Sequence, residues 1–89
     1  MFYVYILRTS FNTLYTGQTN NLEGRLQEHK NKTGKSAKYM RYFSSFDLVH
    51  NEIFPTRKEA INREIQLKKY SRTKKEAIIA GSLEPLKQL

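Results

Sequence analysis

Two tyrosines ten residues apart, Tyr5 in Tyr3-Val4-Tyr5 and Tyr15 in Tyr15-Thr16-Gly17, bracket one turn near the start of the chain. If that turn centres on Ser10, the flanking strands pair with residue sums of about twenty, which sets Tyr5 directly opposite Tyr15 on one face of an antiparallel hairpin. Further on, Leu22, Arg25, Leu26 and His29 follow i, i+3, i+4, i+7 spacing and share a helical arc of about 100°. An arginine and a histidine therefore lie on the stripe that should face inward. Phenols, a guanidinium and an imidazole can together grip a phosphate and move a proton, with Arg25 as charge clamp and His29 as hydrogen-bond donor or proton carrier. Each also has a plainer explanation. Cross-strand aromatic pairs stabilise sheets, and long basic side chains often cover apolar surface. Gly17 either relieves a bulge or lets a ligand backbone approach the strand.

One carboxylate stands out. After Thr56, the residues Ala60, Ile61, Ile65 and Leu67 form an apolar stripe, and Glu64 lies inside it. Burying an unpaired charge is costly, so Glu64 must be neutralised, paired with a cation or engaged with a metal. An internal ion pair with Arg25 would satisfy it as well as a metal ion would.

The elements that must position these groups read in the order ββαβαα. Phe2 to Arg8 carries large side chains on both faces, which suits a strand covered on both sides. Thr9 to Asn12 reads as a turn, Thr13 to Thr19 as a second strand, and Asn21 as a helix N-cap. A helix over residues 22–32 follows, with Gly34 as its cap and a short helix after Ser36. Phe46 to Phe54 alternates imperfectly and reads as a third strand, closed by Pro55. Thr56-Arg57-Lys58-Glu59 has the capping-box pattern and opens a helix to about Tyr70. Thr73-Lys74-Lys75-Glu76 repeats that pattern and opens a shorter helix stopped by Gly81. Nothing divides the chain further, so residues 1–82 read as one compact α+β domain with 83–89 as a tail.

Composition narrows the partners. The 89 residues carry 16 Lys and Arg against 8 Asp and Glu, a formal charge of +8, which favours polyanions and above all nucleic acid. There is no cysteine, so thiolate chemistry and cysteine-ligated metals are excluded. The longest apolar run, Phe2 to Leu7, is far shorter than the roughly 20 residues a spanning helix needs. No secretory leader is evident, and cytoplasmic residence is the expectation. Two basic stretches lie outside the cluster: Lys30, Lys32, Lys35, Lys38 and Arg41 with Tyr39 and Tyr42 interleaved, then Lys68, Lys69 and Arg72 followed by Lys74 and Lys75. If both flank the mouth of the Tyr–Arg–Glu cluster, they track phosphates while tyrosines stack on unpaired bases.

Taken together, these residues resemble the GIY-YIG nuclease superfamily, and most closely its small stand-alone bacterial members. Tyr3-Val4-Tyr5 stands for the first signature triplet and Tyr15-Thr16-Gly17 for the second. Asn21-Leu22-Glu23-Gly24-Arg25-Leu26 resembles the family's arginine-bearing helix, His29 takes its Tyr or His position, and Glu64 matches its metal-binding glutamate. The resemblance spans about residues 2 to 80. It implies a three-stranded antiparallel sheet flanked by helices and Mg²⁺- or Mn²⁺-dependent cleavage of phosphodiester bonds with one ion on Glu64. DNA is the implied substrate, with RNA as the alternative. It further implies that Tyr5 is the general base, that Tyr15 helps hold water or phosphate, and that Arg25 offsets transition-state charge. Three positions depart from the pattern. Tyr3 replaces the first glycine, Gln18 stands where several nuclease members carry lysine, and Glu76 falls where repair-type members place a late asparagine. The separate DNA-binding domain of homing and repair members is absent from the match, so cutting is expected to be non-specific or structure-selective, with any targeting left to a protein partner. A non-catalytic nucleic-acid-binding module on the same scaffold is the alternative.

Overall fold

The computed structural model describes residues 1–31 and 45–81. Within them lie three strands and three helices in the expected ββαβαα order: β1 (Phe2–Thr9), β2 (Leu14–Thr19), α1 (Leu22–Asn31), β3 (Phe46–Phe54), α2 (Arg57–Lys69) and α3 (Arg72–Ile79). The Gly34 cap and the short helix after Ser36 fall outside the described residues.

β1 is the central strand, antiparallel to both neighbours in the order β2-β1-β3. Its two-sided apolar sequence requires that place, and Val4, Tyr5, Ile6 and Leu7 have no exposed surface at all. Val4 and Ile6 pack against Ala60 and Leu67 of α2 and Ile78 of α3. Tyr5 and Leu7 face the other way, toward Leu22 and Leu26 of α1, with Tyr15 and Phe46 beside them. The sheet is thus a middle layer between α1 and the α2–α3 pair. Each fully buried aliphatic side chain in it contributes about 1.5–3 kcal/mol.

The hairpin register corrects one expectation. Tyr5 pairs with Gly17, and Tyr15 pairs with Leu7, so the two tyrosines are diagonal rather than directly opposite. The cause lies in the turn. Asn12 takes a left-handed conformation, φ 64°, which asparagine tolerates better than most residues, and its N–H bonds to the Thr9 carbonyl at 2.8 Å. Thr9 and Thr13 then face each other, linked by their hydroxyls at 2.6 Å. The turn therefore centres on Phe11, one residue later than supposed. Residue sums rise by two, and a two-residue shift keeps both tyrosines on one face.

β3 explains its own imperfect alternation. Ile6 pairs with His50 but Leu7 pairs with Leu48, leaving Val49 as an extra residue in a bulge. The bulge reverses the side-chain alternation. His50, Glu52 and Phe54 fall on the α2 side, whereas Phe46 falls on the α1 side and joins the Tyr5 cluster.

Helix starts follow their caps. The Asn21 side chain accepts from the Gly24 N–H at 3.1 Å, and Thr56 accepts from Glu59 N–H at 3.2 Å. The second capping box does not form as expected. Tyr70 ends α2 in an extended conformation and Ser71 continues it, so Ser71 caps α3 by accepting from Lys74 N–H. Thr73 lies inside the first turn. Glu76 is engaged elsewhere: its carboxylate takes a two-pronged contact from Arg8 at 2.6 and 2.9 Å and further bonds from Arg72. Arg8 shares the Val4–Ile6 face of β1, so Glu76 ties α3 to the side of the sheet away from Tyr5.

Candidate active site

The Tyr5 side chain crosses β2 at Gly17. A Cβ on residue 17 would lie 2.6 Å from the phenol oxygen and 2.8 Å from Cζ. Glycine is required here for the passage of the Tyr5 ring, which is neither of the two roles anticipated for it.

Behind the phenol sits His29, which is 1% exposed. Its Nε2 lies 3.0 Å from Tyr5 Oη. The imidazole is enclosed by rings set edge-on to it: Tyr15 at 5.3 Å, Phe46 at 5.8 Å and Tyr5 at 5.9 Å between centroids. His29 faces inward, as its place on the helical stripe implied, and its partner there is the Tyr5 phenol. Burial lowers its pKa, the nearby Arg25 charge adds to that, and Glu28 opposes it. The ring is therefore neutral at pH 7, with one nitrogen able to accept a proton. Its Nδ1 is buried and has no hydrogen-bond partner among the described residues.

Burial pushes the Tyr5 phenol well above its ordinary value near 10, and Tyr15 raises it further. Arg25 pulls it down by its charge, and Glu64 pushes it up. Arg25 from α1 and Glu64 from α2 thus both act on one phenol, although their helices belong to opposite layers. The rings of Tyr5 and Tyr15 lie 6.3 Å apart at 42°, so both signature tyrosines share this place.

Glu64 lies on the line Ala60–Glu64–Leu67, between the two fully buried residues of α2. Ile65, expected on the core stripe, is instead 49% exposed. The Glu64 side chain pairs with Lys68 at 3.0 Å, and Arg25 pairs through Nε with Glu28 at 3.2 Å. These local partners replace the direct Glu64–Arg25 ion pair considered as one alternative. No group of three or more His, Cys, Asp or Glu that could hold a metal occurs among the described residues. Beside the buried His29 ring, the oxygen donors of this cluster are the phenols of Tyr5 and Tyr15 and the single Glu64 carboxylate. That set fits a magnesium-like ion, which commonly takes one or two carboxylates and completes its shell with water and phosphate oxygens.

Two depressions adjoin the cluster. A narrow polar cleft of about 80 Å³ is lined by Phe2, Gln18, Thr19, Asn20, Arg25 and Arg57. A wider groove of about 390 Å³ lies between Tyr3 and the first turns of α1, and the two share Asn20. Arg57 had no part in the sequence reading beyond its place in a capping box, because its approach to Arg25 depends on how α2 docks.

The basic stretches divide between layers. Lys30 is exposed at the end of α1, and Lys32, Lys35, Lys38, Tyr39 and Arg41 lie outside the described residues. On the opposite layer, Lys68 and Arg72 hold Glu64 and Glu76, and Lys69 borders an open groove with Phe54 and Gln66. No described helix is long and apolar enough to cross a membrane.

A profile of the GIY-YIG catalytic domain matches residues 1–77. A UPF0213 protein of Natronomonas pharaonis is 45% identical over 78 residues, covering 88% of this chain and 89% of that protein. One from Syntrophus aciditrophicus is 47% identical over 83 residues, covering 92% and 93%. The solution NMR structure of a UPF0213 protein from Bacillus halodurans aligns with a TM-score of 0.60 at 38% identity, over 97% of this chain and 90% of that one. By its motifs, its fold and these relatives, the chain belongs to the GIY-YIG family, a nuclease superfamily that includes the small UPF0213 proteins.

Proposed function

We propose that the protein is a metal-dependent endonuclease that hydrolyses phosphodiester bonds of DNA, either non-specifically or with selection by DNA structure. The single observation that carries this reading is the Tyr5 phenol held 3.0 Å from His29 and packed beside Tyr15, within electrostatic reach of Arg25 and Glu64.

Proton transfer needs an acceptor whose protonation state suits neutral pH. The neutral His29 ring, 3.0 Å behind Tyr5, is such an acceptor. In this mechanism Tyr5, closed to solvent at rest, takes the proton of a water admitted when substrate binds, while its own proton passes to His29 Nε2. Burial favours the phenol holding that proton in the resting protein, so the relay engages only when positive charge assembles beside it. Arg25, partly exposed, meets charge developing on the phosphate oxygens, a role worth about 3–4 kcal/mol for one well-placed donor. Tyr15 positions water or phosphate beside the phenol. Glu64 would hold one Mg²⁺ or Mn²⁺, which supplies Lewis-acid stabilisation of the departing 3′ oxygen when bound.

The test is nicking of supercoiled DNA with Mg²⁺ or Mn²⁺, comparing the native protein with Tyr5→Phe and Glu64→Ala. The expected loss in each variant is at least about 100-fold. Equal cleavage by all three proteins would refute the assignment. Salt-sensitive DNA binding without turnover in the native protein would instead establish the binding-module alternative.

A further inference from the structure

The polar cleft and the Tyr3 groove combine Arg25, already placed at the phosphate, with Arg57 and Tyr3, which the proposed chemistry leaves unassigned. Arg25 enters the cleft from the α1 layer and Arg57 enters it from the start of α2 in the opposite layer, so two guanidinium-bearing side chains border a space of about 80 Å³. Arg25 pairs through Nε with Glu28 and also reaches the Tyr5 phenol, so its guanidinium bridges the tyrosine cluster and the cleft. Arg57 has no ion pair with any described residue. Two cations around a small, polar-walled space suit a tetrahedral anion far better than a neutral group. Gln18 and Asn20 add neutral polar groups to the wall, and among the described residues no carboxylate lines it.

Beyond Asn20 the chemistry changes. The groove of about 390 Å³ presents the Tyr3 ring with Leu22 and Leu26. Its walls are flat and largely apolar, with Asn21 and Glu23 at the rim. A phosphate-sized cleft that shares a wall with an aromatic groove has the make-up of a nucleotide: anion on one side, ring on the other. A base can enter such a groove only when it is not stacked and paired inside a duplex.

We propose that these two depressions form a subsite for one unpaired nucleotide of DNA, its phosphate held between Arg25 and Arg57 and its base stacked on Tyr3. The inference deepens the nuclease reading and rests on it for the identity of the polymer. It turns structure selection into a physical device: a flap, gap or frayed end offers the unpaired base that intact duplex withholds. Arg57 is a substrate-binding residue here, and Tyr3 a specificity-determining one.

The test measures binding without metal, in EDTA, so that it does not depend on cleavage. The probes are a fluorescein-labelled eight-nucleotide thymidine strand, the same strand carrying abasic sugars, and a duplex, each followed by anisotropy across a salt series. Arg57→Gln should weaken the thymidine strand about ten-fold and reduce the slope of log affinity against log salt by about 0.7, the value for one lost phosphate contact on a single strand. Lys58→Gln removes the same charge one residue away, outside the cleft, and should change affinity less than about two-fold. Tyr3→Ala should weaken the thymidine strand about ten-fold and the abasic strand hardly at all, whereas Tyr3→Phe should retain native binding. The proposal is overturned if Arg57→Gln behaves like Lys58→Gln, if the Tyr3→Ala penalty persists on the abasic strand, or if the duplex binds as tightly as the single strand. Absence of nicking with metal would overturn the catalytic reading and leave these comparisons standing.

Discussion

Replacing Gly17 with alanine puts a methyl group where the Tyr5 ring already lies. The added carbon would sit 2.6 Å from Tyr5 Oη, 2.8 Å from Cζ and 3.2 Å from Cε2. Non-bonded carbon contacts settle at about 3.5–4.0 Å, so the ring must retreat by roughly 0.5–1 Å. It has little freedom to do so, being fully buried with Oη 3.0 Å from His29 Nε2. Overpacking of this kind costs about 1–3 kcal/mol, and each kcal/mol lowers Tm by about 4–8 °C in a domain of this size. The assay is thermal unfolding followed by circular dichroism for Gly17→Ala, Tyr5→Phe and the double variant. The shortest contact is to the hydroxyl, which Tyr5→Phe deletes. The double variant should therefore be more stable than the sum of the single losses, by about 1 kcal/mol. Strict additivity, or a Gly17→Ala protein as stable as the native one, would refute the claim that the phenol crosses β2 at this residue. Nicking activity should fall further than the folded fraction does, because a misplacement of about 1 Å in a catalytic group can cost about 100-fold.

Two other expectations concern the opposite face of the sheet. Burial opposes ionisation of Glu52, but hydrogen bonds from His50 and Arg63 outweigh it and hold the carboxyl at about 2. A carboxyl depressed on folding stabilises above its unfolded value near 4.5 and loses that contribution as pH falls toward 2. Glu52→Gln should thus lower stability by about 2–3 kcal/mol at pH 7 and by little at pH 2, measured by urea unfolding across that range. Parallel pH profiles for the two proteins would refute it. Glu76→Ala removes the anchor shared by Arg8 and Arg72, so amide exchange over residues 74–80 should accelerate while the His29 ring resonances stay in place. A shift of those resonances would show that α3 supports the Tyr5 site after all.

The existence and type of the elements were legible because they rest on local chemistry. β1 announced a two-sided burial, and Asn21 and Thr56 announced helix starts, since a cap acts within three residues of itself. Tyr5, Tyr15, Arg25 and Glu64 were grouped from spacing, helical phase and the family resemblance, and the fold brings Tyr5 and Tyr15 together. The misreadings share one cause, the choice between local options of similar merit. Ser71 and Thr73 both offer a capping hydroxyl, and the extended end of α2 at Tyr70 selects Ser71. Ser10 and Phe11 are both plausible turn centres, and the left-handed Asn12 with the facing Thr9–Thr13 pair selects Phe11.

By itself the sequence determined the family, the order of the elements, and which side chains share a face, because alternation in a strand and periodicity in a helix are fixed by backbone geometry. Only the tertiary structure decided that His29 Nε2 meets the Tyr5 phenol, that Phe46 crosses to the same cluster through the Val49 bulge, and that Arg57 and Arg25 line one cleft. Those outcomes depend on how separate layers dock. Docking is settled by packing summed over the interface, a quantity that no single residue's spacing encodes.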